Sequence, residues 1–392
     1  MNEVLGRLLL VVIGVVVSVV VLEAGLRVID RDRDSFYMWP PNLKVSMQPV
    51  PEVLPGIYGP SLFSVNSQGI RGDELGGDTS YRILALGGST TENGFLDQSE
   101  TWPQLLQRQL NERSDSRTWV GNAGKSGLNS RHHVVQMRYL LPELGEINAI
   151  VMMVGINDLT LRLGQDSEYD ESYSIGAGEE GRLIRRAFSV YPVELNTSFY
   201  KRLALWGVAK KLKAFTSAGD QSQEELQRKH ITWRANRQQA SGFRDRLPDM
   251  ASALDEYAQN LRAIAATAEE RSVRLILLTQ PAMWQYEISE KRDSLLWFGG
   301  IGDFQNKVGG EYYSVAALSQ ALSMYNETLL DVCRDTGIEC IDVASSMPGD
   351  AGNFYDDVHF TEKGAESVAG VVAEYMSQNV PRSVLGVANV RP

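Results

Sequence analysis

The chain has 392 residues, of which 43% are hydrophobic and 22% charged, and a formal net charge of -11. That length exceeds one minimal core and implies one large domain with appendages, or two domains. The acidic balance argues against nucleic acid as a partner, since phosphate neutralisation needs a basic face. Two cysteines and four histidines, with no CxxC, HExxH or Cys/His cluster, argue against a structural metal site, and no cofactor is called for.

The first element is apolar throughout. Leu8–Leu22 reads LLLVVIGVVVSVVVL and carries no charge. As a helix it rises about 22 Å, short of the ~20 residues of a comfortable span, but Val4, Leu5, Ala24 and Leu26 extend it. It is either the apolar core of a signal peptide or an uncleaved transmembrane anchor, with membrane contact over residues 4–28. No clear small-residue cleavage site follows, and LEAGLRVID continues in helical character, which favours the anchor. The flanking charges conflict: Arg27, Arg31 and Arg33 follow the segment and only Arg7 precedes it, yet Glu23, Asp30, Asp32 and Asp34 are interleaved with them. Long domains are translocated with little regard to such charges, so the expected place of the rest of the chain is outside the cytoplasm.

Residues 30–79 are rich in Pro and Gly and read as a lead-in or wrapping segment, with too many aromatics for plain disorder. Strands are then predicted at Arg82–Leu86, Thr118–Gly121, Asn148–Val154, Arg274–Thr279 and Ile338–Val343. Helical spacing covers Glu100–Glu112, Arg131–Leu144, Leu254–Glu270, Val315–Arg334 and Glu362–Ser377. Strands that are apolar on both faces and alternate with helices predict an α/β fold. It is a three-layer α/β/α arrangement with a central parallel sheet of about five strands, plus the N-terminal transmembrane helix. The expected organisation is an anchor at 1–29, the lead-in at 30–79, a catalytic domain at 80–380 and a tail at 381–392.

An insertion at 163–250 interrupts this rhythm. Between Tyr200 and Phe215, Lys201, Arg202, Lys210, Lys211 and Lys213 accompany Leu203, Leu205, Trp206, Val208 and Leu212. This segment reads as a lid helix with a solvated basic face, or as a helix lying on an anionic membrane surface. Near the C-terminus, Cys333 is placed in a last helical turn and Cys340 in a strand. They can close a disulfide in an oxidising compartment or stay as two buried thiols.

Four local features follow strands of the sheet, where ligands of parallel sheets bind. LGGST places Ser89 just beyond the first strand. GNAGKSGLNS (Gly121–Ser130) follows the second; its Gly-Lys-Ser invites a phosphate-loop reading, but the position that must be glycine is Trp119, so the motif fails. GINDL (Gly155–Leu159) ends the third strand with Asn157 able to reach the same cleft, although in isolation an Asx-type turn or cap explains it better. FYDDVHF (Phe354–Phe360) precedes the last helix, and there Asp356 can hold the Nδ1–H of His359 and leave Nε2 free as a base.

Gly-x-Ser, Asn-x-Gly-x-x-Gly, Gly-x-Asn-Asp and Asp-x-x-His, in that order and at strand ends, resemble the SGNH, or GDSL-like, hydrolase family. The resemblance covers roughly residues 80–380, with LGGST in place of the commoner Gly-Asp-Ser. It implies that Ser89 is the nucleophile, His359 the general base and then acid, and Asp356 the orienting carboxylate. The oxyanion hole would comprise the backbone N–H of Ser89, that of Gly127 and the side-chain amide of Asn157. Gly127 fits the family position better than Gly124, and Asp357 is a neighbour of the triad. Gln280, Trp284 and His132 are candidate substrate contacts near the cleft mouth, and His230 lies in the insertion with no assigned role. The expected activity is a serine esterase acting on O-acyl, foremost O-acetyl, esters of a carbohydrate or envelope glycan, or on a small ester. The alternatives are an O-acetyltransferase with the same triad and a non-catalytic glycan-binding or assembly protein. The sequence sets no oligomeric state.

Overall fold

The computed structural model describes residues 2–29, 35–114, 117–192, 203–206, 208–209, 221–284 and 290–379. Helix α1 (Asn2–Ile29) is, among these, the one helix long and apolar enough to cross a membrane; by length and composition it is an anchor or a signal sequence. Its side chains from Leu8 to Leu22 are largely exposed, as suits a lipid environment rather than a protein core. The basic segment read at residues 200–215 lies mostly outside the described residues, as does the predicted tail at 381–392.

The lead-in is not a spacer. Its strands β1 (Lys44–Met47) and β2 (Ser61–Ser64) pair antiparallel, and Met38, Leu54, Ile57, Phe63 and Ile70 are buried in the same core as the rest of the chain. The expected division at residue 80 is therefore not a boundary between packed units. Pro and Gly make the segment irregular, and scattered apolar residues still fasten it down. Arg71 is the strongest tie. It is fully buried and donates to the carbonyls of Asn93 (3.0 Å), Leu96 (2.7 Å) and Glu92, and to Gln98 Oε1 (2.9 Å). Its guanidinium also lies 4.3 Å from the centroid of the Phe63 ring.

The main sheet is wholly parallel and runs β4-β3-β5-β7-β9, from β3 (Tyr81–Gly87), β4 (Thr118–Gly124), β5 (Ala149–Met153), β7 (Arg274–Leu278) and β9 (Glu339–Ile341). Strand β5 is buried at every position, because helices cover both faces. The helices are α2 (Ser89–Glu92), α3 (Trp102–Arg113), α4 (Ser130–Tyr139), α5 (Ile156–Gln165), α6 (Ala177–Ala187), α7 (Gln221–Gln238), α8 (Ala251–Glu270), α9 (Val315–Thr336) and α10 (Glu362–Gln378). Helix α3 packs with α10 in one layer, and α8 packs with α4 and α9 in the other. The first crossover runs one way along the sheet and the later ones run the other way. Connections of uniform hand then put α3 opposite α4, α8 and α9. Local chemistry sets the helix limits: Ser314 caps α9 by accepting from Ala317 N–H, Thr361 caps α10 by accepting from Gly364 N–H, and α9 ends at Gly337 in the left-handed region.

Two elements of the insertion join this frame. Helix α6 packs on α4, and the short strand β6 (Gly242–Arg244) pairs parallel with β8 (Glu311–Tyr313). Cys333 in the last turn of α9 and Cys340 in β9 have Cα atoms 6.2 Å apart and their sulfurs in bonding contact, within the reach of a disulfide.

Removing the Arg71 side chain leaves three buried carbonyls without a charged donor. Arg71→Ala is expected to cost about 3 kcal/mol or more of stability. Urea titration followed by circular dichroism checks this; an unchanged midpoint would mean that the lead-in does not help to hold the loop after β3.

Candidate active site

The chain reverses direction along the sheet between β3 and β5, and the loops leaving their C-terminal ends diverge there. Parallel sheets form their clefts at such a switch point. Ser89 opens α2 directly after β3, Asn157 lies in the first turn of α5 after β5, and the loop after β4 passes beside both. The turn Phe354–Phe360 before α10 closes the arrangement.

His359 Nε2 stands 2.7 Å from Ser89 Oγ. On its other side, Nδ1 is 2.8 and 2.9 Å from the two carboxylate oxygens of Asp356. The turn makes this pairing local: Asp356 Oδ1 also accepts the backbone N–H groups of Val358 (3.0 Å) and His359 (2.9 Å). Asp356 Oδ2 accepts the indole N–H of Trp297 at 3.0 Å and lies 3.8 Å from His230 Nε2. His230 Nδ1–H donates to Leu226 O at 2.9 Å, which aims Nε2 at the carboxylate. The ring of Tyr355 stacks on the imidazole of His359, with centroids 5.5 Å apart and planes 10° apart. Such a chain can draw the serine proton onto Nε2 while Nδ1–H stays on the carboxylate.

Burial opposes charge on both members of the pair, and each offsets the cost for the other. For Asp356, burial is outweighed by the charge and hydrogen bond of His359, by His230 and by Trp297, so its carboxyl is held well below the usual carboxylate range. For His359, burial lowers the pKa, but the Asp356 carboxylate more than compensates and the net shift is upward. Asp357 is pushed up to about 6 by burial and by the neighbouring Asp356, against the pull of Arg237 and the N–H groups of Trp284 and Trp297. It accepts from Trp284 Nε1 (2.8 Å), Trp297 N (2.7 Å) and Phe298 N (3.1 Å), and so fixes the loop that presents Trp297 to Asp356.

The amide of Asn157 comes close to the glycine that precedes Ser89. A Cβ on Gly88 would lie 2.3 Å from Asn157 Nδ2, so only glycine lets the amide come this close. Asn157 Nδ2 donates to Leu128 O at 2.7 Å, which holds the amide against the loop after β4 and leaves its second N–H free. Gly127, next to Leu128, has φ +75°, a backbone that L side chains rarely adopt. Among the described residues the backbone N–H groups of Ser89 and Gly127 have no acceptor. The loop is held from below by Glu92, whose carboxylate accepts the backbone N–H and the hydroxyl of Ser126. Burial raises the pKa of Glu92, against the hydrogen bond from Ser126 and the charge of Arg71.

The three candidate substrate contacts, Gln280, Trp284 and His132, are all buried. Gln280 is fully buried, with Oε1 accepting from Thr90 (3.0 Å) and Nε2 donating to Pro281 O (2.9 Å). Trp284 is buried on Asp357. His132 is buried with Nδ1 against the backbone N–H (3.2 Å) and side-chain oxygen (2.6 Å) of Asn129, as part of the cap of α4. The polar atoms of Gln280 and Trp284, and Nδ1 of His132, satisfy buried groups of the protein itself. Conversely, His230 does have a carboxylate neighbour, Asp356, which sequence spacing conceals. Trp297, Glu92 and Arg71 are equally invisible there. Asp158 is buried and accepts from Ser130 N–H at 3.1 Å and from its hydroxyl at 2.5 Å, tying the loop after β5 to α4. A groove of about 830 Å³ lined by Tyr81, Asn148 and Arg274 lies at the opposite ends of the strands and contains none of these groups.

Fold and cleft together define an enzyme of the serine esterase class. The chain belongs to the GDSL-like lipase/acylhydrolase family, whose model matches residues 85–366. No curated protein sequence matches it. Among solved structures, it is similar to the α/β hydrolase LAE5 from the metagenome of Lake Arreo, Spain, at 14% identity and TM-score 0.42, covering 76% of this chain and 96% of that one. It is similar to the acetylxylan esterase Axe2 from Geobacillus stearothermophilus at 12% identity and TM-score 0.40, covering 78% and 96%. The acetyl xylan esterase AlAXEase gives 12% identity and TM-score 0.39, covering 76% and 100%. These values are too low to transfer a substrate.

A base must be neutral to accept the serine proton, and the pKa of His359 is raised. Activity should therefore fall as pH drops through a value above the ordinary histidine pKa of about 6.5. Asp356→Asn removes the raising charge and leaves the burial, so the acid limb should move down while kcat falls about 10⁴-fold, as in other serine triads. A kcat/KM profile from pH 5 to 9 on both proteins decides; an acid limb that does not move would dissociate the limb from His359.

Proposed function

We propose that the protein is a membrane-anchored serine esterase that hydrolyses O-acyl, foremost O-acetyl, esters of a carbohydrate or envelope glycan outside the cytoplasm. The observation that carries this reading is the unbroken Ser89–His359–Asp356 chain, at 2.7 Å and then 2.8 Å. In the reaction, Ser89 Oγ attacks the ester carbonyl carbon as its proton passes to His359 Nε2. The N–H groups of Ser89, Gly127 and Asn157 receive the carbonyl oxygen as it becomes an oxyanion; one such donor is typically worth ~3 kcal/mol. The C–O bond to the sugar breaks, and the sugar oxygen leaves with the proton from His359. Water then repeats the sequence on the acyl-serine and releases the carboxylate.

The glycan half of the reading is supported by α1, since an esterase held at a membrane meets the esters of the envelope. The corresponding organisation is an anchor at 1–29, followed by a domain that takes in the lead-in as well as 80–380 and the insertion 163–250. The second reading, an O-acetyltransferase, is favoured by the insertion: α6 and α7 flank the reaction centre, and a shielded acyl-enzyme can pass its acyl group to a sugar hydroxyl instead of water. A non-catalytic glycan-binding protein has no use for a serine in hydrogen-bond contact with a base.

The test is the release of p-nitrophenol from p-nitrophenyl acetate by the wild type and Ser89→Ala, with and without a glycan acceptor. Release that depends on Ser89 supports the esterase, release that rises with acceptor alongside acetylated glycan supports the transferase, and no Ser89-dependent release sinks both. Export has its own check. Protein taken from an exporting host, denatured without reductant and treated with iodoacetamide, should leave Cys333 and Cys340 unlabelled in the mass spectrum. Two labelled cysteines would contradict passage through an oxidising compartment.

A further inference from the structure

Helix α6 of the insertion ends against the loop after β4. Its body is fastened to the domain: Leu183 and Ala187 are in the core, Phe188 follows them there, and Glu180 pairs with Arg138 of α4. Its C-terminal carbonyl, Ala187 O, accepts from Lys125 Nζ at 3.3 Å, and the same ammonium reaches Ser189 Oγ at 3.2 Å and lies 5.1 Å from the centroid of the Trp39 ring. Lys125 is the lysine of the failed phosphate loop; here it ties the end of α6 to the loop that carries Gly127.

The consequence is the position of Arg186. Its Nη2 lies 2.8 Å from where a Cβ on Gly127 would stand, so the guanidinium covers the face of this glycine. The residue is exposed, and among the described residues it has neither a carboxylate nor a hydrogen-bond partner. Complementing the dipole of α6 does not account for it, because the last carbonyl is already served by Lys125 and the guanidinium extends to the neighbouring loop. The nearest loop-supporting carboxylate, Glu92, is occupied by Ser126. A planar five-donor cation with no partner among the described residues, set against the loop that carries Gly127 on a chain of net charge -11, is suited to one kind of partner: a carboxylate or phosphate on the ligand.

We propose that Arg186 recognises a negative charge on the substrate, and that the esters this protein takes are carried on acidic sugars rather than neutral ones. This rests on the reading of Ser89 as the nucleophile. The shared chemistry is an anionic group presented beside the scissile ester; the sources are a uronate carboxylate and a sugar phosphate.

Three acetylated methyl glycosides differing only at C6 separate these sources: the glucoside, the glucuronoside and the glucoside 6-phosphate. The wild type should show kcat/KM at least ~10-fold higher on one of the two charged esters than on the glucoside, as a charge-assisted bidentate contact implies. In Arg186→Ala this ratio should fall to about one, with Arg186→Lys between; the charged ester whose advantage disappears identifies the source. A wild-type ratio at or below one, or a ratio unchanged in Arg186→Ala, overturns the proposal. Calorimetry of the same glycosides on Ser89→Ala keeps the two readings apart. Selective binding of a charged glycoside with no turnover by the wild type retains the acidic substrate and sinks the esterase. Turnover of all three without selectivity does the reverse, and neither binding preference nor turnover sinks both.

Discussion

A carboxylate with no exposed surface, Asp356, is the group on which the rest of the cleft depends. A charge removed from water must find its hydrogen bonds inside the protein, and the cost of leaving it short is several kcal/mol. The turn supplies two backbone N–H groups, His359 a ring N–H, and Trp297 an indole N–H. The imidazole is thereby held in one tautomer with its free nitrogen at Ser89. Position of the base and solvation of the acid are one requirement, met by one set of bonds.

The insertion contributes to that requirement from outside the sheet. Helix α7 presents His230, Arg234 and Arg237 along one side, at the spacing that aligns residues on a helix. His230 faces Asp356. Arg234 donates to Tyr355 O at 2.9 Å, Leu295 O at 3.0 Å and Val53 O at 2.6 Å, and Arg237 to Phe298 O at 2.8 Å. One helix therefore joins the lead-in, the loop bearing Trp297 and the turn bearing Asp356. The buried arginines are donors to carbonyls of irregular backbone that no strand or helix could satisfy.

What was legible in the sequence follows from which interactions are local. The five strands are short and mostly apolar runs, and their alternation with helices has one economical solution. Asp356 and His359 share a turn, so their spacing carries information; Ser89, Gly127 and Asn157 stand at strand ends, which the sheet gathers. Helix α7 has no apolar stripe to find, because the side it buries is made of His230, Arg234 and Arg237. The lead-in has the sequence of a separate segment because its buried residues are scattered among Pro and Gly without a period. The facing of Gln280, Trp284 and His132 is set by their partners Thr90, Asp357 and Asn129, which chain position does not give. Trp297, Arg71 and Arg186 act across long stretches of sequence, and nothing near them in the chain signals it.

The packing of the lead-in has a consequence for reach. Tyr37 is already bonded to the domain through its N–H to Val190 O at 2.9 Å, and Met38 has no exposed surface. With α1 as an anchor, about seven residues separate the membrane-facing helix from the body of the enzyme, a tether of at most roughly 25 Å when fully extended. The cleft then works in a layer about one domain deep above the bilayer. A small diffusing ester gains nothing from that confinement. On the proposed glycan reading, a long polymer leaving the membrane passes through the layer segment by segment, and each acylated unit is offered in turn to the same serine.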